Sequence, residues 1–402
     1  MRSRRSHLSL RHLVVFREVA VNGGVNAAAR RLHLSQPAAT QAVLAVERYL
    51  GARLFDRHSA GMALTAMGQR CLERVELALA ELRAAMVELL PPAAMRTPRA
   101  LTLGQLDALI AVARHGNFRL AARALGIAAP TLYRSARTLE RLSGAALFER
   151  TSFGMRATRE GERLARHAGR ALSELQQARY ALTALRGEEQ GRIVIGTMPL
   201  ARGGLVPGAV LQFMARYPRH TVELLDGPYE TLLAALRDGS ADVLIGALRQ
   251  PAPAGDVCEE PLFDDPLTLV VRSQHPLTQQ GSSDPGQLLR YPWIAPRLGT
   301  PLRRHYEALF SQAGQALPLG TIECNSLVAA RAILLRSDRL MLLSARQVMA
   351  DVSAGVLATL PHPHGRVVRT IGLTTRAGWE PTEPQQALVG LLKDEARRPA
   401  GP

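Results

Sequence analysis

The chemistry this chain is best equipped to perform is the recognition of anions by guanidinium groups. It carries 50 basic side chains, and Lys393 is the only lysine among them. A guanidinium presents a planar fork of donors that matches phosphate oxygens and the acceptor edge of guanine. The formal net charge is +16 and is unevenly placed. Residues 1–190 hold 29 arginines against 15 acidic residues, whereas residues 191–402 hold 21 basic against 19 acidic. Coding composition would explain arginine in place of lysine, but not a basic half joined to a nearly neutral one. The asymmetry predicts a polyanion-binding half and a half with another task.

Covalent and metal chemistry find no comparable support. The sequence contains no P-loop, no Gly-x-Ser-x-Gly and no His-Glu-x-x-His motif. Asp264-Asp265 reads as a turn rather than a catalytic dyad. Cys71, Cys258 and Cys324 are odd in number and match no ligand spacing, so buried reduced thiols are expected. No catalytic residue, metal or cofactor is expected. No apolar run reaches the roughly 18 residues of a membrane span. Arg11 and His12 interrupt the apolar part of the basic N-terminus, which argues against a signal peptide. A cytoplasmic protein without membrane contact is expected.

The elements that must position the arginines are written twice. LFDRHSAGMALTAMG, Leu54 to Gly68, returns 93 positions later as LFERTSFGMRATREG, Leu147 to Gly161. The same offset aligns Leu8–Leu82 with Leu101–Leu175 without a gap, which reads as a duplicated domain and not a solenoid. In each copy an apolar stripe at helical spacing (Leu10, Leu13, Val14, Phe16; Leu103, Leu106, Leu109, Ile110) predicts a first helix ended by Gly23-Gly24 or Gly116. A short helix follows, with Ala28-Ala29 or Ala121-Ala122 for close packing. After a four-residue break, Pro37 or Pro130 opens a third helix, where its missing N–H costs nothing. Two short helices across so tight a turn form a helix-turn-helix, whose second helix can enter a major groove. A strand, a Gly-bearing turn and a strand make a wing, and Thr65 or Thr158 then caps a long helix.

The repeat resembles the winged helix-turn-helix of LysR-type transcriptional regulators. The resemblance rests on AARRLHLSQPA, on the Leu-Phe and Arg before the wing, and on the Thr-x-x-Gly opening the long linker helix. Members ordinarily carry one such head, and this chain carries two in tandem. The resemblance implies double-stranded DNA as partner. In copy one, Ser35, Gln36 and Pro37 open the recognition helix, with Thr40 and Gln41 where the family usually has Ser-Arg on its groove-facing turn. In copy two, Ala128-Ala129-Pro130 lacks a side-chain cap, but Thr131, Tyr133, Arg134 and Arg137 arm the groove-facing turns better. Arg57 and Arg150 stand where the family's wing-base arginine meets phosphate.

The long helix of copy two, roughly Thr158 to Leu185, places Leu164, Ala168, Leu172, Leu175, Ala178 and Leu182 on one narrow seam. In the family this helix pairs two subunits, so a homodimer or homotetramer is implied. From Gly191 strands alternate with helices, which argues for a parallel α/β sheet. LRDGSADVLIG and PLFDDPLTLVVRSQHPL resemble the two-lobed, type-2 periplasmic-binding-protein-like effector domain of the family. In such sheets ligands bind beyond the carboxyl ends of strands, near helix N-termini. Candidate effector contacts are Thr197, Met198, Ala247, Thr300, Pro301, Asn325 and Ser326, and Arg297, Arg303 and Arg304 would favour an anion.

The expected architecture is thus an α+β multidomain chain. A first winged helix-turn-helix with its helix occupies 8–90, a Pro-rich connector 91–100, a second winged helix-turn-helix 101–157 and a linker helix 158–187. An effector domain occupies 191–395, with lobe I about 191–266 and 346–395 and lobe II about 267–345. The expected function is sequence-specific regulation of transcription in response to a small effector. A solute-binding protein would suit the second half but not the basic first half. A regulator whose first head only contacts protein would fit the weaker Thr40-Gln41 turn.

Overall fold

Leucine, valine and phenylalanine at steps of three and four give the first helix, α1 (Leu10–Asn22), its buried face. Val15 rather than Val14 completes that face, beside Leu10, Leu13, Phe16 and Val19. Gly23 ends the helix at φ 69°, a left-handed geometry that glycine adopts without steric cost. Then come α2 (Val25–Leu32), α3 (Gln36–Leu50), the hairpin β1 (Phe55–His58) and β2 (Gly61–Leu64), and the long α4 (Ala66–Leu89). The same series follows as α5 (Leu103–His115), α6 (Phe118–Leu125), α7 (Ala129–Ser143), β3 (Phe148–Thr151), β4 (Gly154–Ala157) and α8 (Arg159–Leu185). This computed structural model describes residues 8–58, 61–89, 101–152, 154–185, 190–249, 255–280 and 284–398. The connector 91–100 lies outside the described residues.

The Thr-x-x-Gly phrase has a steric reason. The Thr65 hydroxyl accepts the Gly68 N–H at 2.9 Å, and the Thr158 hydroxyl accepts the Gly161 N–H at 3.0 Å. A Cβ on Gly68 would stand 2.1 Å from the Leu54 carbonyl oxygen, and one on Gly161 2.2 Å from that of Leu147. Any larger residue would push the long helix off its own head.

The seam on α8 is closed inside the chain. Its Leu164, Ala168, Leu172, Leu175, Ala178 and Leu182 are buried in one core with Cys71, Val75, Ala78, Leu79, Leu82 and Ala85 of α4. Arg74 pairs with Glu174 at 2.9 Å, Glu81 with His167 at 2.8 Å, and Glu88 with Arg163, which fixes the two helices as antiparallel. The expectation that this seam meets another subunit is therefore corrected: α4 carries the matching stripe and covers it first. Of the cysteines only Cys71 is buried as expected; Cys258 is exposed and Cys324 half-buried.

The chain divides into two compact units, one built mainly from residues up to Arg192 and the other mainly from Ile193 onward. The second begins with β5 (Gly191–Thr197), α9 (Leu205–Arg216), β6 (His220–Asp226), α10 (Tyr229–Arg237), β7 (Val243–Ala247) and β8 (Val257–Arg272). Next are α11 (Leu277–Gln280), α12 (Pro285–Leu288), β9 (Trp293–Ala295), α13 (Pro301–Ser311), β10 (Ile322–Glu323) and α14 (Leu327–Leu334). It closes with β11 (Leu340–Ser344), α15 (Ala345–Ser353), β12 (Leu357–Leu360), β13 (Val368–Arg376) and α16 (Glu383–Arg397).

The sheet order is β10-β9-β11-β8-β13-β7-β5-β6, with β12 also on β8. It is mixed: the parallel pairings that the alternation implies are present, and antiparallel ones join them. β5 with β7 and β9 with β10 and β11 run parallel, whereas β13 is antiparallel to both β7 and β8. The cause is β8, 16 residues long: its first part pairs with β13 and its second with β11 and β12. Asp264 and Asp265 lie inside β8 opposite Thr370 and Arg369, so they are strand residues and not a turn.

Leu175 is fully buried at the centre of the seam. Leu175→Ala is expected to cost about 2–5 kcal/mol of unfolding free energy, the range for a buried leucine truncation that leaves a cavity. Denaturant titration reads this directly, and a midpoint indistinguishable from the parent would refute the buried seam.

Candidate nucleic-acid interface and ligand cavity

The two recognition helices are held in matching ways but armed differently. On α3 the Ser35 hydroxyl caps the helix, accepting the Ala38 N–H at 3.3 Å. Gln36, Pro37 and Gln41 are exposed. Thr40 donates its hydroxyl proton to the Gln36 carbonyl at 3.0 Å, which spends that donor within the helix. On α7 Ala128 supplies no side-chain cap, an absence typically worth about 1 kcal/mol. Asn117 offsets it one helix earlier, its Oδ1 accepting the Arg119 and Leu120 N–H groups at 2.8 and 3.4 Å. The corresponding cap of α2 is Gly24, which has no side chain to give.

Pro130, Thr131, Tyr133 and Arg134 are exposed on the first turns of α7. The Tyr133 ring lies 4.6 Å from that of Phe118, which itself packs edge-on against Phe148, so the phenol is propped from below. Arg134 makes no ion pair among the described residues. Arg137 is less free than expected, because Glu140 takes its guanidinium at 3.1 Å. The pair is exposed on the arginine side and worth little in water.

Glu140 has a second duty that sequence reasoning missed. Its Oε1 accepts the N–H groups of Leu147 and Phe148, both at 3.1 Å, and so fixes where the wing leaves the helix. Glu47 does the same in the first head, accepting the Leu54 N–H at 2.7 Å. The signal was available: both glutamates precede the wing leucine by the same spacing. Arg57 stands in β1 opposite Met62, and Arg150, exposed, in β3 opposite Met155.

In the second unit a cavity of about 120 Å³ opens beyond the strand ends. Five of the seven candidate effector residues line it: Met198, Ala247, Thr300, Pro301 and Asn325. The other two do not. Thr197 is buried, with its hydroxyl donating to the Leu225 carbonyl at 3.1 Å, and Ser326 spends its hydroxyl capping α14 through the Ala329 N–H at 3.3 Å. Leu200, Pro296, Gln347 and Arg369 also line the wall and carried no local signal.

The arginines in and near the cavity differ in availability. Arg369 is committed to the fully buried Asp265 at 2.9 Å and to Gln347 at 3.2 Å. Arg303 is held by Glu307 at 2.7 Å and Glu323 at 3.0 Å, so it does not serve as the free cation expected of it. Arg297 lines the cavity, is exposed, and has no ion pair among the described residues. Thr300 caps α13 by accepting the Arg303 N–H at 3.2 Å and donates to the Arg297 carbonyl at 2.8 Å. The half-buried Cys324 also lines the wall and donates its thiol to the Ser326 carbonyl at 3.4 Å.

Two winged helix-turn-helix heads and an α/β unit with a part-apolar cavity define a regulatory class of helix-turn-helix protein. Residues 10–69 and again 103–162 match the bacterial regulatory helix-turn-helix protein of the lysR family, and residues 186–397 match the LysR substrate binding domain. The chain belongs to the LysR family. It is 31% identical over 385 residues to the HTH-type transcriptional regulator GalR of Pseudomonas putida, an alignment covering 96% of each chain. It is 31% identical over 292 residues to the HTH-type transcriptional regulator PcaQ of Agrobacterium fabrum, covering 72% of this chain and 94% of that one. Among solved structures, full-length OxyR of Pseudomonas aeruginosa has TM-score 0.54 at 24% identity, covering 74% of this chain and 95% of that chain. That likeness concerns the fold. No helix among the described residues is long and apolar enough to cross a membrane.

The second unit also contains a buried titrating group. His362 is lowered to about 4, first by burial and then by His364 and His305. Its ordinary value is 6.5, so the unfolded chain binds the proton more readily. Stability from this group is complete above about pH 6.5 and is lost as pH falls toward about 4. His362→Asn is expected to flatten the stability profile across that window in urea titrations, and an unchanged slope would contradict the assignment.

Proposed function

We propose that the protein is a sequence-specific DNA-binding transcriptional regulator that responds to a small anionic effector held between two lobes of its C-terminal unit. The observation that carries the DNA-reading part is α7: an exposed Tyr133-Arg134 turn, with Arg134 unpaired among the described residues, on a helix that the Glu140 clamp ties to its wing. A guanidinium free in that position can bond guanine O6 and N7 together. Exposed Gln36, Gln41 and Thr131 and the wing-base Arg57 and Arg150 would add base or phosphate contacts, with Ser35, Pro37 and Pro130 setting the helix starts. Thr40 and Arg137 contribute less, because each is engaged within its own helix.

The lobes would be the halves of the mixed sheet that β8 and β13 join, about 191–266 with 346–395 and about 267–345. Arg297 supplies the uncompensated charge for an anion, while Met198, Ala247 and Pro301 supply apolar contact. Effector preference for one arrangement of the lobes sets the limit on how far binding can shift the regulator. Homo-oligomers and operation in the cytoplasm fit the family. A reading in which the first head only contacts protein draws support from the Thr40 hydroxyl's internal bond.

Arg134→Ala is expected to weaken binding to a selected operator about 5- to 150-fold, the equivalent of about 1–3 kcal/mol for one bidentate base contact. Competition titrations at fixed salt measure it; an equal loss on operator and random DNA would reduce Arg134 to a phosphate contact. For the effector, a thermal-shift screen of small organic anions should yield stabilisers whose effect disappears in Arg297→Ala. Stabilisers indifferent to that substitution would place the anion site elsewhere.

A further inference from the structure

We infer that one chain is by itself a complete two-headed reading unit, built to address two unequal half-sites on duplex DNA. The inference rests on the DNA-reading proposal and adds how the heads are combined. Its basis is the symmetry of their contacts within the first compact unit.

Residues of the second head are the counterparts of the first at an offset of 93. Ser9 forms an antiparallel bridge with Thr102, its own counterpart. The flanking bonds, Leu10 N–H to the Leu101 carbonyl and Leu103 N–H to the Leu8 carbonyl, are both 2.8 Å and are one bond made twice. The long helices repeat the pattern. Arg74 meets Glu174 and Glu81 meets His167, where His167 is the counterpart of Arg74 and Glu174 that of Glu81. Between these pairs lie Ala78 and its counterpart Ala171, both fully buried. A contact in which i touches j and j touches i is the signature of a two-fold interface between identical partners. Here both partners are in one chain.

Two consequences follow. The apolar faces of both long helices are already covered, so a second chain's long helix finds no seam to join. Further assembly must use other surfaces. The two-fold is also broken where DNA would be read: Ser35-Gln36 and Thr40-Gln41 on one side, Ala128-Ala129 and Tyr133-Arg134 on the other. Such a unit suits an asymmetric pair of half-sites, and its second head binds at an effective concentration set by the tether and not by subunit dissociation.

The test uses full-length chains with exchanged charges. Arg74→Glu and Glu174→Arg should each lower the melting temperature, and the double variant should restore it. An equal mixture of the two single variants should stay low, because each α4 meets its own α8. Recovery in the mixture would overturn the inference by showing pairing between chains. Native mass measurement on selected DNA decides independently of those shifts. One chain on each pair of dissimilar half-sites, with Arg134→Ala releasing only one of them, is expected. Two chains on a palindrome, each applying the same head, would overturn it. Should the wild type select no DNA, the DNA-reading proposal fails, while the charge exchange still judges the pairing.

Discussion

The antiparallel contact between α4 and α8 is what the first half of the molecule depends on. Its energy is mainly apolar. A leucine taken from water to full burial contributes about 1.5–3 kcal/mol, whereas a largely buried ion pair such as Arg74–Glu174 gives back much of its attraction in the desolvation of both charges. Leu79, Leu82, Leu172 and Leu175 therefore hold the helices together. Arg74, Glu81, His167 and Glu174 decide direction and register, since any slip would part both pairs. Alanines at the crossing, Ala78 and Ala171, let the backbones approach. Each head is then seated on its own long helix by the glycine that follows its cap, Gly68 or Gly161.

Within that frame the heads have changed where change is cheap. The buried positions stay small or apolar at nearly every place in both copies, with volume exchanged between neighbours, as at Phe16 against Leu109 and Cys71 against Leu164, because a shared core has to stay filled. The solvent-facing turns of α3 and α7 are free of that constraint and differ at nearly every groove-facing position. Caps have moved too: the first head spends one at α3 through Ser35, the second at α6 through Asn117. In the second unit the same division holds. Arg369 is locked to the buried Asp265 and shapes the cavity wall, whereas Arg297 keeps its charge available.

Most of the heads was legible in the sequence. The offset, the helix stops at Gly23 and Gly116, and the caps at Ser35, Thr65 and Thr158 could be read from local patterns, and five of the seven candidate effector residues, brought to one cleft by the fold resemblance, line the cavity. Those local patterns depend on neighbours a few residues away. What escaped depends on distant partners. The stripe on α4 (Cys71, Val75, Ala78, Leu79, Leu82, Ala85) is the seam of α8 shifted by the repeat, yet no local pattern says which stripe meets which. As an isolated acidic pair, Asp264-Asp265 reads locally as a turn. Only the pairing of Asp265 with β13, which places Arg369 opposite across 104 positions of sequence, makes it a strand residue. The antiparallel centre of the sheet is of the same kind, since alternating strands and helices do not reveal a strand long enough to serve both ends.

Whether α4 and α8 of one chain pair with each other is read from the distance between spin labels placed on the two helices. With Cys258 and Cys324 replaced by serine, labels would be placed at the exposed Glu76 and Glu162 and the labelled protein diluted into excess unlabelled chain. Pairing within one chain gives a narrow distance distribution that survives dilution unchanged, because both labels belong to the same pair of helices. A short distance that fades as unlabelled chain is added would show that the helices pair between chains and that no chain closes its own seam.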